Sequence, residues 1–233
     1  VVETIPLAEL WPLLDLKTLF RLHWGAKNKS GEEWDRLLKD EFHPKLDELK
    51  AMVVENGWLD PKAVYGYFRA RSSGDSVILI DSGVEIARFD FPRQADGNRL
   101  CLSDYLKTEN DLLPLQCVTI GSHASEAIDE LNRAGDYTLA YYLHGLGSSV
   151  AEAAAEWMHL RILDELKLPR NSGHRYSWGY PACPDISQHE IVFRLLPIRE
   201  SLGMDLSPAW QLIPEQSTAA LVIHHPDAIY FSP

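Results

Sequence analysis

The residues with the richest potential chemistry lie in one short segment, residues 173–185, with the sequence GHRYSWGYPACPD. Arg175 carries a planar guanidinium whose fork of donors suits a carboxylate. Gly179 allows close approach of the backbone to a ligand, or a positive φ. Pro181 and Pro184 exclude a regular helix and stiffen the segment, so less entropy is lost on binding. Three flat side chains can stack on a heteroaromatic ring or hold a cation, namely Tyr176, Trp178 and Tyr180.

Two interpretations of this segment stay open on the residues alone. In the first, it binds a zwitterionic ligand with a flat base, because irregular backbone exposes N–H and C=O groups that a helix or strand would already use. In the second, it is a surface loop that contains a structural arginine. The residue types favour the two equally.

A second group of polar residues lies in a predicted helix that begins near residue 149. Glu152, Glu156, His159 and Leu163 follow one another at spacings of four, three and four, which places them on one stripe. The opposite stripe is apolar and is expected to face the core; it holds Val150, Ala153, Trp157 and Leu160. The polar stripe is typical of a solvated face, although it could direct a carboxylate at a cationic ligand or hold a metal ion. One such helix is weak evidence for a metal site.

Other chemical motifs are weaker. Asp15, between leucines at the predicted start of a helix, is typical of an N-cap. The sequence GLGSSVAEA (145–153) lacks the third glycine of a dinucleotide loop and follows a predicted helix, which favours a C-cap glycine and then a serine N-cap. There is no HExxH or GxSxG motif, and Cys183 has no evident partner base, so a hydrolase is not supported.

Composition narrows the class of protein. The 233 residues carry a formal net charge of −12, which argues against nucleic acid as a partner, since phosphates require a basic surface. No apolar run approaches the roughly 18 residues of a membrane-spanning helix. The three cysteines are far apart in the sequence, which argues against a disulfide framework or a structural zinc site. These features favour a cytoplasmic protein.

The spacing of apolar residues changes along the chain from a helical to a strand-like period, and this change predicts the elements that position these residues. Short helical pieces are predicted over 7–24, broken near Pro12, and a longer helix over 32–57, kinked or split at Pro44. A meander of strands is predicted next, then helices, the 173–185 segment, and a last helix and strands. The predicted strands are 63–70, 76–81, 85–91, 115–121, 209–214, 219–225 and 228–231, the last two joined by a turn at Pro226. The later helices are 124–134, 136–146, 149–168 and 187–202. This order predicts an α+β fold with a largely antiparallel sheet.

The sequence RYSWGYPACPD resembles the RxxxGYPACPD signature of the activation domain of cobalamin-dependent methionine synthase. Further landmarks of that family follow in order over nearly the whole chain. They are LLDLKTLFRLHW, AVYGYFRARSSGDSVIL, LCLSDYL, VAEAAAEWMH and HHPDAIYF. The resemblance implies a single helmet-shaped α+β domain over residues 1–233, built on a twisted antiparallel sheet with flanking helices.

The resemblance also implies a site for S-adenosylmethionine and no catalytic or metal-binding residue within the chain. The implied ligand contacts are Asp15, Glu152, Arg175, Ser177, Gly179, Tyr180 and Tyr230. Glu152, rather than Glu156, is the carboxylate assigned to the ligand. The family commonly has alanine and proline where this chain has Ser177 and Trp178, and the sequence PEQSTAA before the last strands is more polar than is typical.

In function, the resemblance implies the reactivation module of a methyltransferase. Methionine synthase moves a methyl group from methyltetrahydrofolate to homocysteine through cobalamin, and the activation domain supplies the methyl of S-adenosylmethionine to inactive cob(II)alamin. The implied partners are the cobalamin-binding domain of the same enzyme and flavodoxin or an equivalent reductase. The valine at position 1 and the lack of a DxHxxG cobalamin motif favour a C-terminal fragment that cannot complete the cycle alone. The alternative is a free-standing module that binds S-adenosylmethionine or a corrinoid protein without catalysis.

Overall fold

The computed structural model describes residues 2–233, which are built around an antiparallel sheet. The strands are β1 (Val2–Thr4), β2 (Lys62–Ser73), β3 (Ser76–Asp81), β4 (Val84–Asp90), β5 (Asp111–Thr119), β6 (His174–Ser177), β7 (Asp205–Leu206), β8 (Leu212–Ile213) and β9 (Ser217–Ile223). The main sheet has the order β4-β3-β2-β5-β9-β6, and β1 pairs with the start of β2. Strands β7 and β8 form a separate two-stranded ribbon.

The helices lie on both faces of this sheet. They are α1 (Leu7–Leu10), α2 (Leu16–Thr18), α3 (Gly31–Leu37), α4 (His43–Glu55), α5 (His123–Ala134), α6 (Tyr137–Glu165), α7 (His189–Leu195) and α8 (Ile198–Leu202). Short 3₁₀ turns cover Trp11–Leu13, Leu102–Tyr105 and Ile186–Gln188, and wider π turns cover Leu19–His23 and Leu38–Phe42. None of the helices within residues 2–233 has the length and apolar character needed to cross a membrane.

Alternation along the strands divides the core into two layers. Tyr65 and Val222 point to the layer that contains α4 and α6. Their neighbours Val64 and Leu221 point to the layer that contains α7, α8 and the 3₁₀ turn at Leu102–Tyr105. The sheet is therefore buried on both faces, and the elements beside β6 and β9 fix the position of the 173–185 segment.

The predicted α+β class and antiparallel sheet are confirmed. The predicted strands 63–70, 76–81 and 85–91 correspond to β2, β3 and β4, and 115–121 and 219–225 overlap β5 and β9. The predicted helix over 32–57 is interrupted by the π turn Leu38–Phe42, and Pro44 is the second residue of α4, where its missing N–H is tolerated. The predicted helix over 187–202 is divided at Pro197 into α7 and α8.

The predicted break in the GLGSS sequence is wrong, because α6 continues through it for 29 residues. Gly145 and Gly147 are sites of close packing. A Cβ at Gly145 would lie 2.9 Å from the ring of Trp24, and one at Gly147 would lie 3.2 Å from Ile120. The absent side chains let α6 approach its neighbours closely.

The predicted closing hairpin is also wrong. Strand β9 already pairs with β5 on one edge and with β6 on the other, so neither edge is open to residues 228–231. These residues follow an irregular path, in which Tyr176 donates a hydrogen bond to the carbonyl of Ile229 at 2.6 Å. The strand predicted over 209–214 is reduced to β8.

Candidate functional site

Strand β6 and the turn that follows it position the 173–185 segment. Residues 174–177 pair with β9 at the edge of the sheet, with Arg175 opposite Val222. The chain then turns back on itself, since the Gly179 N–H donates to the Cys183 carbonyl at 2.9 Å and the Cys183 N–H to the Tyr180 carbonyl at 3.0 Å. Gly179 has φ +92°, which favours glycine. The segment is thus a short edge strand that ends in a rigid turn.

Trp178 anchors this turn to the core of the domain. Its side chain is buried beside Phe89, with ring centroids 5.3 Å apart. Its indole N–H donates to the Gln188 side chain at 3.2 Å. The departure from the family's proline at this position therefore adds a buried anchor to the turn.

Helix α6 brings Glu152 to Arg175. One guanidinium nitrogen of Arg175, Nη2, donates to Glu152 Oε2 at 3.0 Å. The Arg175 side chain is only 14% exposed, whereas that of Glu152 is 52% exposed. The second terminal nitrogen, Nη1, is buried and has no hydrogen-bond partner among residues 2–233. Within residues 2–233, one arm of the fork is therefore engaged by Glu152, while the other has no hydrogen-bond partner.

The Arg175–Glu152 pair belongs to the wall between two adjoining clefts of about 550 and 610 Å³. We call these the aromatic cleft and the acidic cleft. The aromatic cleft is lined by Tyr176, Ser177, Pro181, Ala182, Tyr230, Phe231 and Ser232. Glu152, Arg175 and Tyr180 line both clefts. The Glu152 charge raises the pKa of the Tyr180 hydroxyl.

The aromatic cleft offers flat faces next to backbone groups. Tyr180 and Tyr230 are 59% and 66% exposed, so their rings are open to a ligand. The Tyr230 hydroxyl donates to the Arg175 carbonyl at 3.1 Å, and its ring packs against that of Tyr176, with centroids 5.3 Å apart. The Ser177 hydroxyl accepts from Thr218 at 3.2 Å. These contacts fix the cleft wall before any ligand binds.

The acidic cleft carries carboxylates from three parts of the chain, namely Asp15, Glu156 and Glu215. Asp15 is the N-cap of α2, as predicted for a capping acid, and accepts from the Thr18 N–H at 3.1 Å and hydroxyl at 2.6 Å. These bonds lower the pKa of Asp15. Asp15 therefore caps a helix and lines the cleft as well.

Six of the seven predicted contact residues line the two clefts: Asp15, Glu152, Arg175, Ser177, Tyr180 and Tyr230. Gly179 lines neither cleft, and its part is to shape the turn. The structure thus brings six of the predicted residues together around the two clefts.

The predicted stripes of α6 are only partly correct. Glu152 is exposed, but His159 and Leu163 are buried, so this stripe is not a solvated face. On the opposite stripe Val150 and Ala153 are buried, while Trp157 and Leu160 are partly exposed. The long helix α6 packs against the sheet on one side and against the N-terminal helices on another. A division into one polar and one apolar stripe therefore does not describe its burial. Within residues 2–233, no group of three or more His, Cys, Asp or Glu side chains is placed to hold a metal ion.

Sequence reasoning missed several residues of the clefts, among them Thr18, His23, Gln216 and Phe231. Glu156 is not among the contacts that the resemblance implies, but it lines the acidic cleft next to the buried His159. The interaction with His159, whose Nδ1 lies 3.7 Å from Glu156 Oε2, lowers the pKa of Glu156. Its signal in the sequence was the position of Glu156 one helical turn after Glu152.

Comparisons with known proteins agree with this arrangement. A family model described as "Vitamin B12 dependent methionine synthase, activation domain" matches residues 6–233. The chain is 34% identical to methionine synthase of Mycobacterium tuberculosis (strain ATCC 25618 / H37Rv) over 268 residues, and 32% identical to that of Mycobacterium leprae (strain TN) over 267. In both cases all of this chain is covered, but only 22% of the relative.

A solved structure has the same fold. The MetH reactivation domain bound to AdoHcy matches with a TM-score of 0.86 at 23% sequence identity, over 100% of this chain and 80% of that one. The α+β architecture described above is therefore that of a known domain.

Proposed function

The chain belongs to the activation-domain family of vitamin B12-dependent methionine synthases, and from that premise we propose that it binds S-adenosylmethionine across the two clefts. The domain of the same fold was solved with AdoHcy, the demethylated form of this compound. The proposed contacts are the residues inferred from the sequence, with Gly179 acting through the shape of its turn.

The observation that carries the proposal is the buried, unpartnered Nη1 of Arg175. A buried cationic donor without a partner is costly, and a carboxylate is the group that best satisfies it. Since Glu152 holds Nη2 at 3.0 Å, the guanidinium is already oriented when the ligand arrives. Arg175 is proposed to bind the carboxylate of the ligand.

The remaining groups of the ligand suit the remaining surfaces. An adenine ring fits the exposed faces of Tyr180 and Tyr230, because aromatic rings stack on flat bases. The positive charges suit the acidic cleft, where Asp15 and Glu156 lie. Clefts of about 550 and 610 Å³ are within the size range of small-molecule sites.

At the level of the enzyme, we propose that the chain serves the reactivation of cobalamin held by a neighbouring domain of a methionine synthase. The bound S-adenosylmethionine supplies a methyl group, and an electron comes from flavodoxin or an equivalent reductase. The residues of this chain bind and orient the ligand, and the isolated chain is not expected to transfer a methyl group from methyltetrahydrofolate to homocysteine. The acidic composition and three buried free cysteines support a cytoplasmic location.

Substitution of Arg175 tests this proposal. Arg175→Ala should weaken S-adenosylmethionine binding by about 2 kcal/mol, or roughly thirty-fold, because it removes a charge-assisted hydrogen bond. Arg175→Lys keeps the charge but lacks the forked donors, so its affinity for S-adenosylmethionine is expected to lie between those of the parent protein and Arg175→Ala. Arg170→Ala is the control, since Arg170 is exposed and pairs with Asp164 outside both clefts. Calorimetric titration gives the dissociation constants, and equal affinity of parent and Arg175→Ala would contradict the assignment.

A further inference from the structure

Glu156 differs from Glu152, the other carboxylate of α6 that lines the acidic cleft, in how its charge is compensated. It lies one turn after Glu152 on α6 and lines the acidic cleft. Its Oε2 is 3.7 Å from Nδ1 of His159, and no lysine or arginine within residues 2–233 forms an ion pair with it. Glu152, by contrast, is paired with Arg175 at 3.0 Å. No lysine or arginine among the described residues is thus in direct contact with the negative charge of Glu156, and Arg175 acts on it only from a distance.

His159 holds Glu156 from the core side. The histidine is only 7% exposed, and its Nε2 has no hydrogen-bond partner among the residues that the structure describes. Because the ring is packed among buried residues of α6, its Nδ1 is a fixed point 3.7 Å from the Glu156 carboxylate. The same contact lowers the pKa of Glu156, which keeps the carboxylate ionised at neutral pH.

We infer, resting on the proposed function, that Glu156, positioned by His159, is the carboxylate that meets the sulfonium of S-adenosylmethionine. The Arg175–Glu152 pair marks where the carboxylate and the adjacent ammonium of the ligand would bind. Four residues of α-helix advance by about 6 Å, which carries the next carboxylate of α6 away from that pair. The sulfur of the ligand is likewise displaced from its α-carbon, by two methylene groups. Asp15 is less suited, since both of its oxygens already accept hydrogen bonds from Thr18.

This assignment predicts a selective effect on the charged ligand. A sulfonium donates no conventional hydrogen bond, so its attraction to a carboxylate is chiefly that of charge for charge. S-adenosylhomocysteine has the same adenosine, ammonium and carboxylate groups, but its sulfur is neutral. The ratio of the two dissociation constants therefore reports on the group that faces the sulfur, and it does not depend on the fraction of protein that is folded.

The experiment measures both dissociation constants by calorimetry for the parent protein and four variants. Glu156→Gln should weaken S-adenosylmethionine binding about five-fold and change S-adenosylhomocysteine binding less than about two-fold. Glu152→Gln should change the affinity for both ligands by similar factors, since it acts next to their shared ammonium and carboxylate.

The two His159 variants test the positioning role. His159→Leu removes the group that holds Glu156 and should reduce the preference for S-adenosylmethionine. His159→Asn retains a donor near the position of Nδ1 and should restore most of that preference. A purely structural histidine would change the melting temperature without changing the ratio.

The outcomes separate this inference from the proposed function. A parent protein that binds neither ligand would overturn both. A parent that binds both ligands, with an unchanged ratio in Glu156→Gln or an equal loss for the two ligands, would overturn the role of Glu156 alone and leave the proposed function standing. A selective loss in Glu156→Gln with no effect of His159→Leu would overturn the positioning role of His159.

Discussion

The structural role of Arg175 is compatible with the binding role proposed for it, because its guanidinium has two separable arms. Nη2 is used within the protein, where it ties β6 to α6 through Glu152 at 3.0 Å. Nη1 remains unpartnered among residues 2–233 although it is buried. This arrangement fixes the side chain without consuming all of its donors, which is the condition for a rigid anion-binding group.

Gly179 is the residue whose predicted role changes most in the structure. It lines neither cleft, but its φ of +92° is strained for other residues, and an added Cβ would lie 3.3 Å from Ile186. Gly179→Ala should therefore lower the melting temperature and also weaken S-adenosylmethionine binding by about three- to ten-fold, because the displaced turn carries Tyr180.

The matched control is Gly74→Ala, in the turn between β2 and β3. Gly74 has φ +61° with open space around it, and it lines neither cleft. This variant should lose stability without losing affinity. Thermal melting and calorimetry on both variants check the prediction, and an equal loss of affinity in the two would show that the Gly179 turn has no special relation to the ligand.

At the residue scale, the sequence predicted which residues come together but not how each is used. Residues that carry a recognisable chemistry, such as Arg175 and Tyr180, could be proposed from the 173–185 segment and the family resemblance. The partner of Arg175 lies 23 positions away on another element. The burial of His159, which lies beside Glu156, depends on packing from both sides of α6. Neither the pairing of Arg175 with Glu152 nor the burial of His159 can be predicted from the spacing of neighbouring residues in the sequence.

Helix α6 is the element on which the site depends, because it carries Glu152 and Glu156 and packs against the sheet. Gly145 permits its contact with Trp24, whose indole N–H donates to the Tyr142 carbonyl at 3.2 Å. Gly145→Ala gains about 1 kcal/mol in helix propensity but inserts a methyl group 2.9 Å from a buried ring. The steric clash with Trp24 should outweigh the gain in helix propensity, so the net effect on stability should be unfavourable.

We therefore expect Gly145→Ala to reduce the free energy of unfolding by about 1–2 kcal/mol in urea titrations. Gly147→Ala should cost less, since its Cβ would meet the terminal Cδ1 of the Ile120 side chain at 3.2 Å, and one terminal methyl group shifts more easily than an indole ring. A more stable Gly145→Ala protein would mean that helix propensity outweighs packing here, and that α6 has room to move away from Trp24.

At the element scale, local pattern identified most strands and helices but not their continuity or pairing. The meander β2–β4 was found because apolar and β-branched runs are separated by turn residues. The GLGSS sequence looked like a helix boundary because glycine and serine are common at caps, yet tertiary packing against Trp24 decides in favour of one helix. Strand β6 was missed because it has four residues and exists only by pairing with β9.

At the scale of the whole molecule, the fold places a cationic anchor within an acidic protein. The net charge is −12, and Arg175 lies in the wall between clefts that also hold Asp15, Glu152 and Glu156. Such a field favours a ligand of net positive charge, and the role proposed for Arg175 is to bind the carboxylate end of that ligand. The chain spans 22% of the curated relatives it matches, so the neighbouring cobalamin domain and the reductase belong to the proposal and not to this structure.

The most direct test of the central claim is the binding of S-adenosylmethionine to the purified 233-residue chain. All of the proposed contacts lie within it, so no other domain should be needed. Calorimetric titration is expected to show one saturable site, and the ligand should raise the melting temperature through its preference for the folded state. The absence of both binding heat and a thermal shift at millimolar ligand would contradict the account.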